Sequence, residues 1–149
     1  MKKLILFGMF VLMMVSCKTL DSKSQTGLKG NWTISSVTYP GSDYIKVTSF
    51  DIADSKCFEG SSWNFVPNNN KGTMSLNNVG CPSFSSPIVW TVTKEGAFTL
   101  KITEGEKAKR VTQGYFLQMR NQSDNSFQLI DNVSVGGKNV EVTYQFTKM

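Results

Sequence analysis

From residue 30 onward the chain alternates between apolar and polar side chains with a period of two, and helical periodicity is nowhere convincing. The clearest stretch is 139–147, where Val140, Val142, Tyr144 and Phe146 interleave with Glu141, Thr143 and Gln145. The same rhythm places Phe98, Leu100 and Ile102 on one face of 97–103, and Ile88, Trp90 and Val92 on one face of 87–93. The first such run carries Trp32 and Ile34, then slips phase at Ser35-Ser36 before Val37 and Tyr39, as a β-bulge would. Eight strands follow, labelled A to H: 30–39, 61–66, 71–77, 87–93, 97–103, 112–120, 125–131 and 139–147.

Turn residues separate the strands: Pro67 to Gly72, Lys94-Glu95-Gly96, Asn121 to Asn125, and Gly136-Gly137. Each strand has one apolar face and there is no helix to cover it, so the sheet must close on itself. The expected fold is all-β, an eight-stranded antiparallel up-and-down barrel. In such a barrel successive connections alternate between the two ends. The A–B, C–D, E–F and G–H connections run about 21, 9, 8 and 7 residues, against about 4, 3 and 4 for the others. One end is therefore a floor of tight hairpins and the other a mouth of longer loops.

The N-terminus differs in kind. Met1-Lys2-Lys3 is a short basic start, and 4–15 is apolar apart from Gly8. At roughly 1.5 Å per residue this run spans much less than the roughly 30 Å of bilayer hydrocarbon, so it reads as a signal peptide and not a membrane span. It ends in Met14-Val15-Ser16-Cys17, which resembles the lipobox of bacterial lipoproteins, with Met14 in place of the usual Leu. The resemblance implies removal of 1–16, three acyl chains on Cys17 as a stable membrane anchor, a flexible polar tether over 17–27, and a domain over 28–149. Lys18 after the cysteine points to the outer membrane of a Gram-negative cell envelope.

The composition, 40% hydrophobic and 18% charged over 149 residues, suits one globular domain, expected to be monomeric. Formal charge is +5, of which Lys2 and Lys3 supply two, and the basic residues are too scattered for a nucleic-acid partner. Histidine is absent. That excludes Ser-His-Asp and Cys-His catalysis and His-based zinc sites. No catalytic residue, metal or cofactor is assigned, and the protein is expected not to be an enzyme. With Cys17 lipidated, Cys57 and Cys81 remain as a mouth-side pair: a disulfide in an oxidising compartment, or two free thiols.

Gly30-Asn31-Trp32 looks like the Gly-x-Trp signature that opens lipocalins. Together with the lipobox, the Cys57/Cys81 pair, Ser62-Trp63-Asn64-Phe65 and the closing Tyr144-Gln145-Phe146-Thr147-Lys148, the mature chain resembles the lipocalin-like lipoproteins of Bacteroidetes-type bacteria. The resemblance implies a barrel for a small hydrophobic molecule, such as a fatty acid or lysolipid. It also implies a cation over the indole of Trp32, with Lys148 the nearest candidate and Arg120 second, making Gly30, Trp32 and Lys148 structural. Inward residues near the mouth, and so candidate ligand contacts, are Tyr39, Leu76, Ile88, Trp90, Ile102, Tyr115, Leu129 and Val140. The alternative is that they are packed core in a filled barrel, and that the protein acts by contacting another envelope component. Residues Tyr44, Ile45, Val47, Phe50, Ile52 and Phe58 of the A–B loop would serve as a lid or as a docking surface. A META-type domain is the alternative fold.

Overall fold

The computed structural model describes residues 21–149. The expected signal segment over 1–16 and the expected lipidation site Cys17 lie outside the described residues. In chain order the strands are β1 (Gly30–Thr38), β2 (Thr48–Ser49), β3 (Ala53–Asp54), β4 (Ser62–Val66), β5 (Lys71–Leu76), β6 (Phe84–Val92), β7 (Ala97–Ile102), β8 (Tyr115–Arg120), β9 (Ser126–Val135) and β10 (Lys138–Lys148). A six-residue helix, α1 (Ser22–Gly27), precedes them. All strands except β2 and β3 close into one antiparallel barrel. Each pairs with its neighbour in sequence, and β1 pairs with β10 to seal the circle. This is the expected up-and-down barrel, and the phase slip in the first strand is a register shift between Ile34 and Ser36.

Alternation makes the core. Trp32, Ile34 and Val37 of β1, Trp63 and Phe65 of β4, and Val142, Tyr144 and Phe146 of β10 are all buried, with polar neighbours between them. The interior is a continuous run of aromatic rings. Trp32 meets Phe127 edge-on at 4.8 Å, Phe127 stacks on Phe146 at 4.5 Å, and Phe65 sits 5.2 Å from Trp90.

The floor is closed by the chain entering the barrel. Leu28 is fully buried, and its carbonyl accepts from the Trp32 indole N–H at 2.8 Å. Lys148 Nζ lies 5.4 Å from the Trp32 ring centroid, a cation–π contact of about 0.5–1 kcal/mol at an exposed site. Gly30, at φ +114°, holds a backbone conformation that a side chain would resist. Arg120 instead pairs with Glu141 at 3.5 Å on the outer surface.

Three expectations of local structure need correction. The tether expected over 17–27 is, where described, the helix α1. The Asp21 carboxylate caps it by accepting from the Ser24 N–H at 3.0 Å and the Ser24 hydroxyl at 2.6 Å, bonds that also lower the Asp21 pKa. Asp21 N–H donates to Val92 O at 3.1 Å, docking the helix on the floor. The strand expected over 112–120 begins only at Tyr115, because Ala108–Arg110 forms a 3-10 turn. The connection expected over 132–138 is instead a two-residue turn. Strands β9 and β10 run on through Val133, Val135 and Val140 to Gly136-Gly137, at φ +57° and +80°. Positive φ at both turn residues matches the right-handed strand twist, which overrides the turn-like composition of Asp131-Asn132.

Candidate functional site

The long loops gather at the mouth, where the 39–61 connection folds back over the opening. Its two-residue strands β2 and β3 pair as a miniature hairpin, with Thr48 opposite Asp54 and Ser49 opposite Ala53. The tip is Phe50-Asp51-Ile52. Phe50 and Asp51 both have φ of +53°, a left-handed backbone that costs a residue with a Cβ roughly 1–2 kcal/mol. Such strain persists only where the surroundings impose it, and here they are identifiable. The Phe50 ring stacks on Tyr144 at 5.5 Å and meets Tyr115 and Phe58 edge-on at 5.1 and 5.3 Å. The Tyr115 hydroxyl donates to the Phe50 carbonyl at 2.8 Å. Ser49 and Tyr144 share a hydroxyl–hydroxyl hydrogen bond, and Gln113 donates to the Asp51 carboxylate. Phe50 is thereby 6% exposed at the centre of the mouth, although it lies at a loop tip.

Further out, the loop is pinned twice. The Tyr39 hydroxyl donates to Ile45 O at 3.0 Å, and Cys57, in the 3-10 turn Ser55–Phe58, is disulfide-bonded to Cys81 of the 77–83 loop, with Cα atoms 5.7 Å apart. Of the two states left open for these cysteines, the bonded one holds, and it lies at the mouth. Its 24-residue separation contributes about 3.5 kcal/mol in the chain-entropy model.

Between this lid and the 77–83 and 103–114 loops lies a cleft of about 370 Å³. Ile102 and Tyr115 form its wall, with Phe50, Ile52, Pro82, Phe84 and Val111 completing the apolar lining. Asp51, Glu104 and Gln113 edge it, and no lysine or arginine lines it. Half-buried Asp131 shares the inward face of β9 with Phe127 and Leu129. The Tyr115 phenol is pushed up to about 12, first by burial and then by the nearby Asp51 carboxylate. Burial likewise raises the Tyr144 phenol and the Asp131 carboxyl. Both tyrosines therefore stay neutral hydrogen-bonding groups at physiological pH. Among the described residues no group of His, Cys, Asp and Glu is arranged to hold a metal, and no helix is long and apolar enough to cross a membrane.

The candidate ligand contacts divide into three groups. Ile102 and Tyr115 line the cleft; Leu76, paired with Phe84, and Ile88, paired with Ile102, back it from within. Leu129 is buried in the interior, Tyr39 is buried at the end of β1, and Val140 is half-buried against the core. Trp90 belongs elsewhere. It stacks on Phe98 at 5.9 Å, and its indole N–H donates at 2.8 Å to Lys71 O, next to the tight β4–β5 turn. Its polar edge is thus satisfied at the floor end and unavailable to a molecule at the mouth. Alternation alone missed Phe84, Glu104, Asp131 and Tyr144 as mouth residues. Tyr144 was readable as an inward position; its role depends on which loop folds over it.

Comparison with known proteins agrees with this architecture. The lipocalin-like domain family profile matches residues 28–129. A crystal structure of a lipocalin-like protein from Bacteroides uniformis superposes with a TM-score of 0.51 at 12% identity, covering 83% of this chain and 99% of that one. An odorant-binding protein superposes at 0.47 and 12% identity, covering 84% and 73%. No curated protein matches the chain. With the family profile spanning most of the barrel, from the floor residue Leu28 to Leu129 of β9, the chain belongs to the lipocalin-like domain family.

Proposed function

We propose that the protein binds a small hydrophobic molecule at the mouth of its barrel and has no catalytic role. The observation that carries this is the cleft of about 370 Å³ between three loops, walled by Phe50, Ile52, Phe84, Ile102, Val111 and Tyr115 and edged by polar groups. Pockets for small molecules have this character, an apolar lining with a few placed polar groups. Here the polar groups are Tyr115, Gln113 and the two edge carboxylates. The test is titration of the full chain with 1-N-phenylnaphthylamine, a neutral dye that fluoresces in apolar surroundings. Saturable binding of about one dye per chain, weakened at least tenfold by Ile102→Glu, supports the reading. A non-saturable signal that Ile102→Glu leaves unchanged contradicts it.

The unbroken aromatic packing of the interior favours a second reading, a filled barrel that contacts another envelope component as a monomeric structural lipoprotein. The dye titration separates the two.

We further propose that 1–16 is a cleaved signal peptide and that lipidated Cys17 anchors the domain in the cell envelope, at the outer membrane. The docking of α1 supports a definite orientation. Asp21 is fixed to the floor through Val92 O, and the four residues from Cys17 to that point span at most roughly 14 Å. The floor then lies against the bilayer and the mouth opens away from it.

A further inference from the structure

The mouth already holds an occupant, and that occupant is part of the chain. Phe50 presents a ring to Tyr144, Tyr115 and Phe58 and a carbonyl oxygen to the Tyr115 hydroxyl, on a left-handed backbone that its neighbours impose. We propose that Phe50 is a built-in stand-in for the ligand, and that the molecule displacing it is a neutral aromatic compound with a carbonyl-type acceptor, its ring on Tyr144 and its acceptor on the Tyr115 hydroxyl.

This inference rests on the ligand-binding reading and narrows it. When the Ser49–Ile52 turn withdraws, the Tyr115 hydroxyl loses the carbonyl it donates to and Tyr144 loses Ser49. Buried Tyr144 and half-buried Tyr115 then lose these protein partners beside an aromatic-lined hole, and a ligand acceptor on the Tyr115 hydroxyl restores the bond that the Phe50 carbonyl made. The charge of the ligand is constrained separately. With the turn and its Asp51 withdrawn, Glu104 still edges the cleft, Asp131 shares the inward face of β9, and no cationic side chain lines the site. A fatty-acid carboxylate would meet like charge without a compensating partner. The ligand is neutral for that reason.

The turn is suited to moving. It is held by the hydrogen bonds above and by a two-residue strand pair, whereas the disulfide and the Tyr39–Ile45 bond hold the loop outside the tip. The backbone conformation of Phe50 and Asp51 relaxes on withdrawal, which offsets part of the lost ring contact.

The experiment compares the full chain with its Phe50→Gly variant, in which glycine keeps the φ of +53° without strain, the ring is removed, and the backbone carbonyl on the Tyr115 hydroxyl remains for the ligand's acceptor to displace. Both proteins share residues 1–20, so a difference between them reads the mouth. Three dyes are titrated: prodan, a neutral naphthyl ketone; 1-N-phenylnaphthylamine, which has no carbonyl; and anilinonaphthalene sulfonate, an anion. The expected result is prodan affinity at least tenfold higher in Phe50→Gly, little gain for the anion, and loss of most of the prodan gain on adding Tyr115→Phe, with phenylnaphthylamine nearly unaffected by that second change. Should Phe50→Gly melt far below the parent, amide exchange in the parent decides: prodan must speed exchange of the Ile52 amide, which is bonded to Ser49 O at 3.0 Å. Equal prodan affinity in both proteins, or unchanged Ile52 exchange, overturns the stand-in while leaving the site itself intact. Equal loss of both neutral dyes with Tyr115→Phe overturns the acceptor. Failure of every dye to saturate either protein overturns the site and the stand-in together.

Discussion

At the scale of single residues, three side chains do separable work. Trp32 is fully buried at the floor, so Trp32→Ala should cost about 3–5 kcal/mol in urea unfolding, as deleting a core indole generally does. Lys148→Ala removes only an exposed cation packed over the indole ring and should cost below 1 kcal/mol. A Lys148 variant as damaging as the Trp32 variant would show that the ammonium contributes to closing the floor as much as the indole does. Tyr115 supplies a pH test. Its folded pKa of about 12 lies above the ordinary value of 10.0, so the unfolded chain releases the proton first as pH rises. Stability from this group is whole below pH 10 and lost progressively between pH 10 and 12. Denaturation midpoints across that window should fall, and Tyr115→Phe should make the fall shallower. An unchanged slope would mean that the phenol is solvated.

At the scale of elements, strands were readable from sequence because each keeps one apolar face through consecutive positions: β10 repeats Val140, Val142, Tyr144, Phe146 without a break, and the structure carries it to Lys148. Element ends were less readable. The β9–β10 hairpin runs further than expected, because Asp131 and Asn132 have turn-forming side chains yet sit in a ladder that extends to paired glycines. Helix α1 went unseen because its six residues, none of them apolar apart from Gly27, carry no periodicity; tertiary docking through Asp21 and Gln122, whose amide donates to Ser24 O at 3.0 Å, supplies what the sequence lacks. The site was half readable. Ile102 and Tyr115 follow from alternation, but Phe50 reaches the mouth only through a left-handed turn that propensity argues against. The disulfide belongs to this scale as well. Replacing Cys57 and Cys81 by alanine should lower stability by about 3.5 kcal/mol and speed amide exchange over 44–61 more than in the barrel strands. Uniform change across the molecule would show that the bond constrains the barrel and not the lid.

The molecule as a whole has two ends with different chemistry. The floor combines tight turns, the docked helix and the Trp32–Lys148 closure; the mouth combines a strained lid, an apolar cleft and acidic edges. Anchoring through Cys17 would put the floor against the bilayer, so a fluorophore at Asn68 should be quenched by nitroxide-labelled lipid headgroups more strongly than one at Asn139 near the outer hairpin tip. The reverse order would place the mouth against the membrane. What ties both ends to function is the location of bound ligand, and the decisive observation is an amide chemical-shift map of the full chain saturated with phenylnaphthylamine. Shifts should concentrate at 49–52, Ile102, Glu104 and 111–115, the positions that enclose the mouth cleft. Shifts clustered on the outer face around Asn64 and Thr73, or confined to no region, would contradict a ligand site at the mouth.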